Sequence, residues 1–278
     1  MALQAVLKVL QGAHGFNKAC IVQHSHPKAV AFFFPGDQIT AAGTSPQVMH
    51  LQEPKVQVTL MADKFLDCTV MGILPSRMEA GSACYDHFLH KTTQTGEPLG
   101  YQGSSLKACA QLCSLRAAAG LPPELPTILI GFSKGGVVLN QVVAELAVWA
   151  SEREAIKDAA TPSAAASAPA NLKQFFETIQ ELHYLDAGLN CRGAYPTDPE
   201  AVSHLGRLAT PPRFMLHGTP RQWEDRHRPW IRNEKDRFLA LLGLAGLSMR
   251  QRLHFEGAKP SLLMHFQILQ ELRPTWDE

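Results

Sequence analysis

The segment that most restricts the fold of this chain is Thr127-Ile-Leu-Ile-Gly131-Phe-Ser133-Lys-Gly135-Gly136-Val-Val-Leu-Asn-Gln141. A short apolar strand runs into Gly-x-Ser-x-Gly, and a helix begins at once. This is the pattern of a nucleophile elbow. The glycines keep the incoming strand and outgoing helix from colliding, and the serine hydroxyl projects above the sheet. The N–H of Lys134 then points to where an oxyanion would form, at the positive end of the helix. Two other readings use the same residues. Ser133 can simply cap the helix. Alternatively, the glycines and Lys134 can form an anion loop, although the Gly-x-x-x-x-Gly-Lys-Ser/Thr spacing is absent.

The surrounding pattern supplies a sheet for such an elbow. Ala29–Phe34, stopped by Pro35-Gly36-Asp37, and Cys68–Leu74 are continuous apolar runs, as in strands buried on both faces of a parallel sheet. Thr127–Ile130, His183–Leu185 and Arg213–Leu216 read as further strands, and Arg250–Phe255 as a polar edge strand. Helices are expected over Val56–Leu66, Ser104–Ala119, Gly135–Trp149, Leu172–Glu181, Trp230–Leu242 and Leu262–Leu272. This alternation predicts the α/β class, with a mostly parallel, doubly wound sheet flanked by helices. The 278 residues equal nearly two domains at about 150 residues each, yet one α/β domain can absorb them. The expectation is a single domain over 1–278, a lid insertion at 84–103 and a low-complexity Ala/Ser/Pro surface insertion at 159–170.

Composition narrows the partners. Lys+Arg number 26 against 25 Asp+Glu, a net charge of +1, and no stretch is basic enough for nucleic acid. The longest apolar segment, Phe238–Leu247, is too short to cross a bilayer. The first residues lack the n-region and cleavage site of a secretory signal. Six cysteines without a Cys-x-x-Cys fit a reducing compartment. A cytoplasmic protein is therefore expected, with no transmembrane segment, no nucleic-acid partner, no metal and no organic cofactor. The near-zero charge favours a neutral or weakly charged carbonyl substrate over a polyanion. Oligomeric state leaves no mark in the sequence.

A serine needs a base, and the base needs an orienting acid. Around such an elbow the chain order is Ser, Asp/Glu, His. His265 stands at the start of the last helix, where it can reach across the sheet top, and is the expected base. Two acids compete. Asp225 lies in the loop after the Arg213–Leu216 strand and is preferred by a small margin. Asp186 ends the His183-Tyr-Leu strand and is the alternative. The second oxyanion donor is expected from Pro35-Gly36-Asp37, with the Asp37 N–H as donor and Gly36 allowing close approach.

Phe34-Pro-Gly-Asp37, Cys84-Tyr-Asp86 with Phe88, Gly131-Phe-Ser-Lys-Gly135 with Val137-Val-Leu-Asn-Gln141, Tyr184-Leu-Asp186, Thr219-Pro220 with Gln222 and Asp225, and Pro260-Ser with His265-Phe266 resemble the chromosome 2 open reading frame 69 family. The resemblance runs from about Ala29 to Phe266. It implies an α/β-hydrolase-like fold without an established substrate and, by analogy with the animal members, a mitochondrial location as the alternative to the cytoplasm. It places Ser133, Asp186, Asp225 and His265 at recurring positions and so does not choose between the acids. The chain departs from the family in having Gly136 in place of a Cys, and Asp186-Ala-Gly-Leu-Asn190 in place of Asp-Gly-Gly-His. The expected activity is that of a serine hydrolase of esterase, lipase or thioesterase type. It would cleave an ester, thioester or lipid-like bond of a small acyl substrate through a Ser-Asp-His triad. The alternative is a catalytically inactive hydrolase-fold protein that acts through protein partners.

Overall fold

The computed structural model describes residues 4–158 and 168–275. Strands β1 (Val6–Gly12) and β2 (Gly15–Val22) form a hairpin, followed by β3 (Ala29–Phe34), helices α1 (Pro46–Leu51) and α2 (Pro54–Lys64), and β4 (Cys68–Ile73). A small two-stranded sheet of β5 (Arg77–Glu79) and β6 (Ser82–Cys84) precedes α3 (Lys107–Ala118), β7 (Thr127–Phe132) and α4 (Gly136–Asp158). Then come α5 (Ala170–Thr178), β8 (Ile179–Leu185), α6 (Pro199–Leu205), β9 (Arg213–Gly218), α7 (Pro220–Trp223), α8 (Pro229–Leu244), β10 (Met249–Leu253) and α9 (Leu262–Glu271). The main sheet has the order β1-β2-β4-β3-β7-β8-β9-β10. From β4 to β10 every neighbouring pair is parallel, while β1 and β2 join one edge antiparallel. The expected mostly parallel, doubly wound sheet flanked by helices is what forms.

Strand β3 shows why the central strands carry no polar face. Successive side chains point to opposite sides, and helices cover both. Val30, Phe32 and Phe34 join a core with α3 and α4, whereas Ala29, Ala31 and Phe33 join a second core with α2 and α9. All six residues are buried. A polar link fixes two helices on the first side. Helix α3 starts without a side-chain cap of its own, so its first N–H groups need acceptors from elsewhere. Fully buried Glu145 of α4 supplies them, accepting from the Ala108 N–H at 2.9 Å and the Cys109 N–H at 2.8 Å.

Several expectations change. The β1–β2 hairpin was not expected, because Val6-Leu7-Lys8-Val9-Leu10 does not alternate cleanly; Val6, Leu7 and Val9 are all exposed. The helix expected over Leu172–Glu181 ends at Thr178, and Ile179 opens β8 opposite Thr127 of β7. Helix α4 runs beyond Trp149 to Asp158. The short helices α1, α6 and α7 fill stretches where no helix was expected. The 159–170 insertion lies outside the described residues up to 167.

The far edge of the sheet holds an acid-sensitive pair. His217 at the end of β9 and His254 just beyond β10 are buried, with His217 Nδ1 and His254 Nε2 3.0 Å apart. Burial, then the neighbouring His183 and His254, holds His217 well below the ordinary histidine range. Burial and Arg252 push His254 down to about 4. The unfolded chain takes up these protons near the ordinary histidine value of 6.5, so the stability these residues confer is complete above that pH. It is lost as pH falls through the folded values. We expect the melting temperature of the wild-type protein to fall from pH 6.5 toward pH 4, and His217→Leu to flatten that decline. An unchanged slope would remove the pair as its cause.

Candidate active site

The site forms where β7 meets α4. Ser133 follows the strand directly and has φ of 53°, in the left-handed region that non-glycine residues rarely enter. Such strain at a strand-to-helix turn is what an elbow requires. Gly135 allows the turn to pass beneath β3, since a Cβ there would overlap the Phe34 carbonyl. Gly36 brings the loop after β3 against the serine itself. A Cβ on Gly36 would stand 2.5 Å from the Ser133 Cβ and 3.0 Å from its Oγ. The next residue, Asp37, has a backbone N–H that donates to no described residue, whereas that of Gln38 is engaged by the Gly81 carbonyl at 2.8 Å.

The side chain that meets His265 is Asp186, not Asp225. His265 Nδ1 lies 2.6 Å from Asp186 Oδ2. A carboxylate can only accept here, so Nδ1 carries the proton and Nε2 is left for other chemistry. Asp186 is fully buried, and Thr219 fixes its rotamer. The Thr219 N–H donates to Oδ1 at 2.7 Å and its hydroxyl to Oδ2 at 2.9 Å. The His265 ring stacks on Phe132, the residue before the serine, with centroids 4.7 Å apart. Ser261 caps α9 through the Met264 N–H, which sets the helix start from which His265 projects.

The preference for Asp225 is therefore corrected. Its carboxylate is spent locally, accepting from the His227 N–H and from Arg228 Nε, each at 2.8 Å. Burial opposes the ionised form, but these two hydrogen bonds outweigh it and hold Asp225 below the usual carboxylate range. Helix α7 separates it from the end of β9, so the loop ties to α8 rather than folding back.

Lys134 does more than offer an N–H. Its ammonium is buried and donates to Ser82 Oγ at 2.8 Å and to the Thr95 carbonyl at 2.5 Å. It also pairs with Glu97 at 3.2 Å and, more distantly, with Asp37 at 3.9 Å. These bonds fasten the 82–97 connection and the Asp37 loop over the elbow. Burial, against the Ala83 N–H and Lys134, raises the Asp37 carboxyl above its usual range. The side-chain role of Lys134, and the parts played by Thr219 and Glu97, were missed by sequence reasoning. The signals for Thr219 were its place soon after a strand and its part in the family resemblance, neither of which assigns it a role.

Ser133 and His265 line one cavity of about 180 Å³ with Lys134, Arg221, Gln222 and Asn190. A second cavity, of about 380 Å³, lies against Gly36 and Asp37 and is walled by Val9, Phe16, Leu74 and Met78. Among the described residues no helix is long and apolar enough to cross a membrane.

Comparison with known proteins adds the lineage. Over nearly its whole length the chain superposes on esterase Est22, with a TM-score of 0.50 and 13% identity, covering 96% of this chain and 76% of that one. The fold is that of the α/β-hydrolases. The C2orf69 family model matches residues 124–248. The human mitochondrial protein C2orf69 is 32% identical over 173 residues, 61% of this chain and 40% of that protein. The zebrafish (Danio rerio) homologue is 29% identical over 268 residues, 86% of this chain and 72% of that protein. The match thus spans less than half of the human relative. Family model and relatives agree in pointing to the C2orf69 family as the one this chain resembles.

Proposed function

We propose that the protein is a serine hydrolase acting on an ester or thioester. The observation that carries this reading is the Asp186–His265 pair, whose histidine lines the same cavity as a serine on a strained elbow. Ser133 Oγ attacks the carbonyl carbon while His265 Nε2 takes its proton, and Asp186 stabilises the imidazolium that results. The N–H groups of Lys134 and Asp37 receive the oxyanion. His265 returns the proton to the departing alkoxide or thiolate, leaving an acyl-serine. Water then attacks the acyl-serine, giving its proton to His265, and the carboxylic acid leaves as Ser133 is reprotonated. The 380 Å³ cavity beyond the Asp37 loop offers room for an apolar part of the substrate. The connection at 84–103, held down by Lys134, serves as the lid. The relatives are named mitochondrial proteins, which favours the mitochondrion over the expected cytoplasm as the compartment.

A fluorophosphonate probe should label the wild-type protein at Ser133, and Ser133→Ala should end labelling. Labelling that survives in the variant would assign the chemistry to another residue. No labelling of folded wild type would favour the inactive, partner-binding alternative.

The acid is tested separately. Asp186→Asn should slow labelling by about three to four orders of magnitude, the scale seen when a triad acid is neutralised. Asp225→Asn should have a small effect. The reverse order, measured as second-order labelling rates, would restore Asp225 to the site.

A further inference from the structure

Ion pairing around the smaller cavity leaves one cation out. Lys134 pairs with Glu97 and, more distantly, with Asp37. Arg228 is paired with Asp225. Arg221, on the short helix α7, also lines the cavity. Among the described residues no acceptor pairs with its guanidinium, although the residue is only partly exposed. Beside it stands a second group without a partner. Gln222 is 4% exposed and lines the same cavity, and its Oε1 is buried without a hydrogen bond. A buried, unpaired amide oxygen is costly. With no protein group to fix it, the amide can turn either its oxygen or its NH2 toward a ligand.

We propose that this cavity takes an acyl compound bearing a carboxylate, which Arg221 and the Gln222 amide hold while the carbonyl sits at Ser133. The assignment rests on the hydrolase reading and adds a substrate class to it. Arg221 offers a planar fork of donors suited to a carboxylate, and Gln222 offers a further N–H. Burial and nearby Arg228 make the Arg221 charge less comfortable, while Asp186 and Asp225 oppose them. A ligand anion would relieve that cost. The volume of about 180 Å³ lies below the roughly 300–1,000 Å³ of pockets that take drug-sized ligands, which suits a short acyl chain rather than a long one. A neutral substrate, as the near-zero net charge of the chain first suggested, would leave both Arg221 and Gln222 unpaired.

Two esters with the same leaving group and a four-carbon acyl chain provide the test, 4-nitrophenyl butyrate and mono-4-nitrophenyl succinate. Rates are corrected with the Ser133→Ala protein. Wild type should favour the succinate in kcat/KM by about tenfold or more, the range of a charge-assisted hydrogen bond. Arg221→Met should bring the ratio close to one, and Arg221→Lys should restore part of it. Parity in wild type, or a preference that survives in Arg221→Met, would overturn the assignment and leave the hydrolase reading intact. A readout independent of turnover separates the two ideas. Succinate should raise the melting temperature of wild type and of Ser133→Ala but not of Arg221→Met. No such shift overturns the anion site even if both esters are cleaved, whereas a shift without any fluorophosphonate labelling keeps the anion site and removes the hydrolase.

Discussion

The arrangement depends on how closely the end of β3 passes the turn between β7 and α4. Gly135 leaves room for the Phe34 carbonyl, and Gly36 rests against Ser133. A methyl group at either point would push the loop from the serine or the helix from the strand. Asp37, Lys134 and Ser133 would then no longer line one cavity as they do. This closeness has a conformational cost. Ser133 and Asp186 both adopt positive φ, at 53° and 46°, and strain of this kind costs of order 1–3 kcal/mol per residue. It is tolerated because each strained residue stands at the end of a strand buried on both faces. Asp186 is further held by its backbone N–H, which donates to the His217 carbonyl at 2.7 Å, and by the hydrogen bonds to its carboxylate. Strain therefore gathers at the carboxyl ends of β7 and β8, above a core that does not yield.

What could be read in advance follows from which interactions are local. The runs Ala29–Phe34 and Cys68–Leu74 announce strands, because burial on both faces leaves no polar positions. The elbow is legible because its steric demand falls on residues adjacent in sequence. His265 could be reached through chain order alone. The acid could not, because its identity depends on whether the segment after β9 folds back over the sheet. Arg228, three residues beyond Asp225, supplies a local partner that keeps the loop from doing so. The Lys134 side chain was illegible for the same reason. Its acceptors, Ser82, Thr95 and Glu97, lie 37 to 52 positions away and meet it only after the sheet has assembled. The β1–β2 hairpin stayed hidden because exposed Val6, Leu7 and Val9 blur the alternation that marks a strand with one buried face.

The elbow and the Asp186 turn also touch directly beneath the site. A Cβ at Gly136 would stand 3.2 Å from the Cβ of Ala187, closer than two such carbons sit comfortably. Packed interiors register a change of even one methylene. A bare glycine at the start of α4 therefore lets the residue after Asp186 carry its methyl group while the elbow and the Asp186 turn keep their relation to each other.

Net charge and local charge answer different questions about this site. The near equality of acids and bases over the chain describes its mean field and offers no support for a nucleic-acid surface. At the cavity beside Ser133 the balance is set by pairing. Glu97 and Asp37 offset Lys134, and Asp225 offsets Arg228, so the cation without a partner is Arg221. The carboxylate expected to orient the histidine is the one that neutralises Arg228 instead. Had Asp225 served the imidazole, Arg228 would have lost its partner. The displacement of Asp225 by Asp186 as the histidine's neighbour thus also sets the electrostatics of the cavity. It leaves Arg221 lining the Ser133 cavity without an ion pair, beside a buried amide whose Oε1 has no partner among the described residues.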